Sequence, residues 1–149
     1  MTDDLVKVSV SNVRLAVATG PGVEAGMVTL REELPPHRSL SIVIGQPEAR
    51  AILTAWTGTA PSRPSTWDLL VSAVAALEGS IVRAVVTAVE EQRHFFATID
   101  IERDGERRVL SARPSDAVAL ALRAYGADIY VADAVMVEVG VLPASDHSN

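Results

Sequence analysis

The sequence predicts a single α+β domain in which mixed and antiparallel strands pack against three main helices. Three observations lead there. Alternating apolar runs open the chain and return in its second half. Between and after them lie three helical stretches, each opening on a proline or a capping signal. With 149 residues of 48% hydrophobic composition, the chain is long enough to bury about 70% of its unfolded surface around one core. The domain is expected to span residues 1–142, with 143–149 a polar tail that frays.

From Leu5 to Val17 the apolar residues alternate, first Val6, Val8 and Val10, then Val13, Leu15 and Val17. The one-residue slip near Ser11 and Asn12 predicts a bulge in a long strand, or two short strands. Thr19 to Gly22 reads as a turn, Gly26 to Arg31 as a second strand, and Pro35-Pro36 as its stop. Ser39 to Gly45 reads as a third strand whose β-branched end suggests burial on both faces.

A helix from Pro47 puts Ala49, Ile52, Leu53 and Trp56 on one stripe, with Glu48 in its first turn and Gly58 as its stop. After a loop, Ser65-Thr66-Trp67-Asp68 has the form of a capping box with aspartate in the usual glutamate position. The helix it starts should bury Trp67, Leu70, Val71, Val74 and Leu77 and end at Gly79. Ile81 to Glu90, His94 to Glu102 and Val109 to Ala112 read as three antiparallel strands, joined by turns at Glu90 to Arg93 and at Asp104-Gly105. Asp128 to Val131 is a short strand, and Ala132-Asp133 opens a last short helix to Glu138.

Ala112 to Tyr125 is the central helix. Ala117, Leu120, Ala121 and Ala124 line one face while Val118, Leu122 and Tyr125 fill the next, so it should sit inside. Pro114 suits its first position and Gly126 its left-handed stop. Arg113, Ser115 and Asp116 cluster at its mouth, where charges beside a core need partners. They could bind phosphate and a cation; alternatively Asp116 caps its own helix and pairs with an arginine. Glu48 and Asp68 are further first-turn carboxylates, and the three would form a metal site only if their helix starts converge.

Two internal echoes appear at different offsets, so both cannot belong to one duplication. Glu48-Ala49-Arg50-Ala51-Ile52 matches Asp116-Ala117-Val118-Ala119-Leu120, and Arg63-Pro64-Ser65 matches Arg113-Pro114-Ser115.

The composition excludes several function classes. With no cysteine, disulfides, thiolate metal sites and cysteine nucleophiles are ruled out. His37, His94 and His147 lack metal-ligand spacing, and His94 reads as a surface strand residue. No P-loop, dinucleotide fingerprint or nucleophile elbow is present. No run reaches the roughly 18 apolar residues of a membrane span, and the N-terminus lacks the form of a signal peptide, so a cytoplasmic protein is expected. The net charge of −6 disfavours a nucleic-acid backbone unless a local basic patch or bridging cations intervene. Arginine supplies nearly all the basic charge, but it is scattered among acids and reads as solvated surface.

The stretches Ile44 to Ile52, Arg63 to Leu70, Ser111 to Arg123 and Ile129 to Asp133, in this order and spacing, resemble the bifunctional nuclease family. The resemblance implies a compact α+β domain, often homo-oligomeric, that cleaves DNA, RNA or both. It carries Glu48, Arg63, Thr66, Asp68, Arg113, Ser115 and Asp116 as the polar positions. Catalysis would fall to Arg113, Asp116 and Asp68, and substrate binding to Arg63, Ser115 and Thr66. Glu48, Asp68 and Asp116 would hold a divalent cation, Mg or Mn, that activates water while arginine neutralises the phosphoryl charge. The family commonly has histidine where this chain has Trp67; a packing position would accept that change, a base or ligand would not. The alternative of another class is a non-catalytic binding or scaffold module whose charges pin helix ends and a homodimer interface.

Overall fold

A computed structural model describes residues 4–59 and 61–145. Its strands are β1 (Leu5–Gly20), β2 (Val23–Glu32), β3 (Ser39–Ile44), β4 (Ser80–Glu90), β5 (His94–Arg103), β6 (Glu106–Ala112) and β7 (Asp128–Ala132). Its helices are α1 (Gln46–Thr57), α2 (Thr66–Ala76), α3 (Pro114–Arg123) and α4 (Asp133–Val139). The seven strands form one sheet in the order β3-β2-β1-β7-β4-β5-β6. Only β4 and β7 pair in parallel; the other neighbours are antiparallel. This is the α+β class that the periodicities predict.

The alternation along each strand gives the sheet one apolar face. Val8 pairs with Ile129, Ile129 with Ala84 and Ala84 with Ile99, and all four are buried in one core cluster. The phase slip at Ser11 is a bulge, the register passing from Val10↔Leu30 to Asn12↔Thr29. The extra residue brings Val13 opposite Val28, back on the inward face of Val8 and Val10, and a second shift between Arg14 and Val17 turns the strand again. On the opposite face the fully buried Asp100 is covered by Arg83 at 2.6 Å and Arg107 at 3.5 Å, and Arg83 lies over the Tyr130 ring.

The sheet is symmetric about β7. On each side three antiparallel strands run outward and end in a helix, β1-β2-β3-α1 on one side and β4-β5-β6-α3 on the other. Glu48 and Asp116 are each the third residue of those helices, so the first echo equates elements with equivalent places in the fold. The second echo does not, because Arg63-Pro64-Ser65 leads into α2, which has no counterpart in the first half.

Several expectations need correction. β3 is an edge strand, with Leu40 and Ile42 inward but Val43 58% exposed, so only one of its faces is covered. In α1 the buried stripe is Ala49, Ala51 and Ile52, while Trp56 reaches solvent. α2 buries none of its residues fully, and Leu70 and Leu77 are exposed. α3 is buried from Ala117 to Ala121, as its composition requires, but it ends at Arg123; Tyr125 is fully exposed, and the left-handed Gly126 lies beyond the extended cap residue Ala124. Arg38, Arg83 and Arg123 are not solvated surface. Arg38 joins the buried Glu32 of β2 to Asp133 of α4, because a carboxylate withdrawn from water needs a cation. Of the tail, Pro143 to Ser145 has no regular structure, and residues 146–149, with His147, lie outside the described residues.

No helix among the described residues is long and apolar enough to cross a membrane.

Candidate active site at the mouths of α1, α2 and α3

α2 begins with the capping box that its sequence spells. The Asp68 backbone N–H donates to Ser65 Oγ at 3.2 Å, while the Ser65 backbone N–H and hydroxyl donate to Asp68 Oδ2 at 2.7 and 2.8 Å. The other oxygen, Oδ1, accepts from Arg123 Nε at 3.0 Å. Those donors, the Ser65 N–H first, hold the Asp68 carboxyl below its ordinary range. Arg123 also donates to the backbone oxygens of Ala119 and Ala51, so a single guanidinium, 10% exposed, ties α1, α2 and α3 together.

The second cluster sits where α1 and α3 begin. Arg113 donates from Nε to Asp116 Oδ2 at 2.7 Å and from Nη2 to Oδ1 at 3.2 Å. Its Nη2 is also 3.6 Å from Glu48 Oε1. The Asp116 hydrogen bonds raise the Arg113 pKa further above its ordinary value, so the side chain stays cationic. Trp67 Nε1 donates to Asp116 Oδ1 at 3.0 Å, bringing α2 to the same carboxylate. The tryptophan, where the resemblance implies a histidine, acts as a hydrogen-bond donor. Indole can donate but has no nitrogen lone pair for a metal or a proton, so no base or ligand role passes to it.

Behind this cluster a cleft of about 540 Å³ opens between α2, α3 and the β5–β6 hairpin. Trp67, Leu70, Val74, Ile99, Leu110 and Leu120 make its apolar wall, and Glu48, Thr66, Arg113 and Asp116 its polar rim. A second cavity of about 530 Å³ lies on the other side of Arg113, lined by Gly45, Arg93, His94, Pro114 and Ser115 among others. A larger space of about 680 Å³ beside Leu77 and Arg108 adjoins the cleft through Val74 and Ile101 but holds none of the expected site residues.

The fold thus gathers Glu48, Thr66, Arg113 and Asp116 and puts Ser115 in the adjoining cavity. It separates Asp68, whose oxygens are taken by Ser65 and Arg123. Arg63 stays exposed in the loop before α2 and lines neither cavity. The three carboxylates expected to hold a divalent cation do not converge, and among the described residues no group of three or more histidine or acidic side chains could hold a metal. Glu48 and Asp116 approach each other through Arg113, a cation already standing between them. The donor set does not fit the Mg or Mn ion. Two site-building residues escaped the sequence reading: Trp67, taken as a packing residue, and Arg123, whose place in the last turn of α3 was the available signal.

A profile of the bifunctional nuclease domain matches residues 28–143. Two uncharacterised proteins of Mycobacterium tuberculosis are similar to the chain, MT1877 of strain CDC 1551 / Oshkosh and Rv1829 of strain ATCC 25618 / H37Rv. Each is 41% identical over 115 residues, which cover 77% of this chain and 67% of the relative.

Proposed function

The chain belongs to the bifunctional nuclease domain family, and from that premise we propose that the Arg113 cleft binds single-stranded DNA or RNA and hydrolyses its phosphodiester bonds. The observation that carries this is Arg113 itself. Its guanidinium stands on the rim shared by two cavities, with Nε and Nη2 engaged and Nη1 without a partner among the described residues. A phosphate oxygen is the natural acceptor for that free N–H. Asp116 positions the guanidinium and is itself oriented by Trp67; Glu48, held only by the 3.6 Å contact, is the carboxylate able to take a proton from attacking water. Thr66 and Ser115 would contact substrate from the two sides, and Asp68 acts indirectly by fixing the start of α2. An unstacked base suits the apolar wall, whereas a duplex would keep its bases out of reach.

A second reading, a non-catalytic binding module, is favoured by one specific observation. Both Asp68 and Asp116 spend their oxygens on bonds that hold helices in place. The proposal includes a cytoplasmic location; it also includes a homodimer or higher homo-oligomer, since Leu69 of α2, its cap residue Leu77, and Val109 and Leu110 of the edge strand β6 are exposed. Light scattering after size exclusion reads the assembly, and a monomer at micromolar concentration would remove that part.

Cleavage of labelled single-stranded RNA and DNA by purified protein, with Mg or Mn and with chelator, tests the activity. Arg113→Lys should lose about tenfold or more in rate while melting unchanged, because it keeps the charge but loses the fork. Equal cleavage by wild type, Arg113→Lys and a mock purification would sink the enzyme reading and leave the binding module.

A further inference from the structure

We infer that the second cavity, on the far side of Arg113 from the apolar cleft, is a phosphoryl-binding pocket; the proposed function bears only on where its phosphate comes from. The pocket receives two helix starts. Gly45 is the N-cap of α1, a helix of 12 residues, and Arg113 is the N-cap of α3, a helix of 10 residues, and neither end has a side-chain cap bond. In α3 the first intrahelical bond runs from the Ala117 N–H to the Arg113 carbonyl, so the N–H groups of Ser115 and Asp116 precede the ladder. Both helices direct the positive ends of their dipoles here.

Ser115 supplies the independent observation. Its side chain lines this cavity and the residue is only 6% exposed, yet its hydroxyl has no hydrogen-bond partner among the described residues. That hydroxyl is not sealed inside the protein but opens to the cavity, where a ligand oxygen would pair with it. Cations complete the ring. Arg113 forms one wall, and Arg93 approaches from the β4–β5 turn, held only by a 3.8 Å contact with Glu91, with the His94 ring beside it as a further polar group. Glu90 is the one carboxylate among the lining residues. Donors from two guanidinium groups, a hydroxyl and backbone N–H groups outnumber what the two oxygens of a carboxylate can accept, and they suit the several oxygens of a phosphoryl group. Because Arg113 borders both cavities, a chain crossing it would set a base in the apolar cleft and a phosphoryl group in this pocket.

Calorimetric titration with inorganic phosphate, and with pentathymidylate carrying either a 5′-phosphate or a 5′-hydroxyl, tests the pocket. Wild type should bind phosphate, and Arg93→Gln and Ser115→Ala should each weaken binding about tenfold, the loss of one charge-assisted or buried hydrogen bond. Arg31→Gln, which removes a cation from the opposite face of the sheet, should leave it unchanged. Arg93 is exposed, so its variant tests the pocket without disturbing the core, and melting curves check the Ser115 variant. Tighter binding of the 5′-phosphorylated oligonucleotide assigns the pocket to chain ends. Equal binding of both, displaced by phosphate, assigns it to internal diesters, and binding of inorganic phosphate alone assigns it to the free ion. No phosphate binding, or binding indifferent to both variants, overturns the inference. Phosphate binding without cleavage would refute only the nuclease reading, and cleavage that phosphate does not inhibit would refute only the pocket.

Discussion

On one side of β7 the meander of β1 to β3 is sealed, and on the other the meander of β4 to β6 is left open. α1 rests so closely on β2 that a methyl at Gly26 would overlap the Ala49 side chain. The β3 edge is partly closed, Ser39 and Val141 exchanging backbone hydrogen bonds at 2.8 Å beside the Glu32–Arg38–Asp133 cluster. In the second half β6 is exposed along nearly its whole length, and the inserted α2 stands off the sheet with no residue fully buried. The first half is held by close apolar contact, whereas α2 in the second rests on the core only through the partly buried Trp67, Val71 and Val74 and is fixed by directed polar bonds from Asp68 and Arg123. A helix pinned in this way leaves space beneath it, and the candidate cleft is that space.

The sharpest way to break the comparison is Arg123→Met. It removes the guanidinium shared by α1, α2 and α3 and leaves Asp68 without its cation, so a loss of about 3 kcal/mol is expected, as for a buried pair with one partner gone. Chemical denaturation measures it, and a change under about 1 kcal/mol would show that apolar contact carries α2 after all. Gly26→Ala probes the first half and should cost about 2 kcal/mol through overpacking against Ala49. Wild-type stability in this variant would mean that α1 can shift on the sheet.

The smallest effect is a pH dependence that separates the two polar pins. Asp68 is depressed below its ordinary 3.8, chiefly by the Ser65 N–H, and Glu32 below its ordinary 4.5, chiefly by Arg38. A carboxylate whose folded pKa lies below its unfolded value adds stability in full above the unfolded value and loses it as pH falls through the folded one. Stability should therefore decline in acid below about pH 4.5. Asp68→Asn and Glu32→Gln should each flatten part of that decline, read as melting temperature against pH. An acid limb unchanged in both variants would assign it to other groups.

The elements were largely legible because each depends on residues close in sequence. The bulge at Ser11, the capping box at Ser65, the Asp104-Gly105 turn and the buried run from Ala117 to Ala121 were all readable from local spacing and backbone preference. Edge status was not legible. Nothing local tells Val43 that its outer face meets no second layer, or Leu70 and Leu77 that α2 stands off the sheet, since both follow from which strand lies last and where an inserted helix lands.

For the site, the sequence by itself determined that Glu48, Asp68 and Asp116 stand in the first turns of three helices and that Arg113 caps one of them, because caps and turn positions follow chain neighbours. Only the tertiary structure decided that Asp68 turns to Arg123, that Trp67 donates to Asp116 from 49 residues away, and that Ser115 faces a different cavity from Asp116. Those choices depend on the directions in which three helices cross, and these are fixed by packing and charge pairing between segments far apart in the chain.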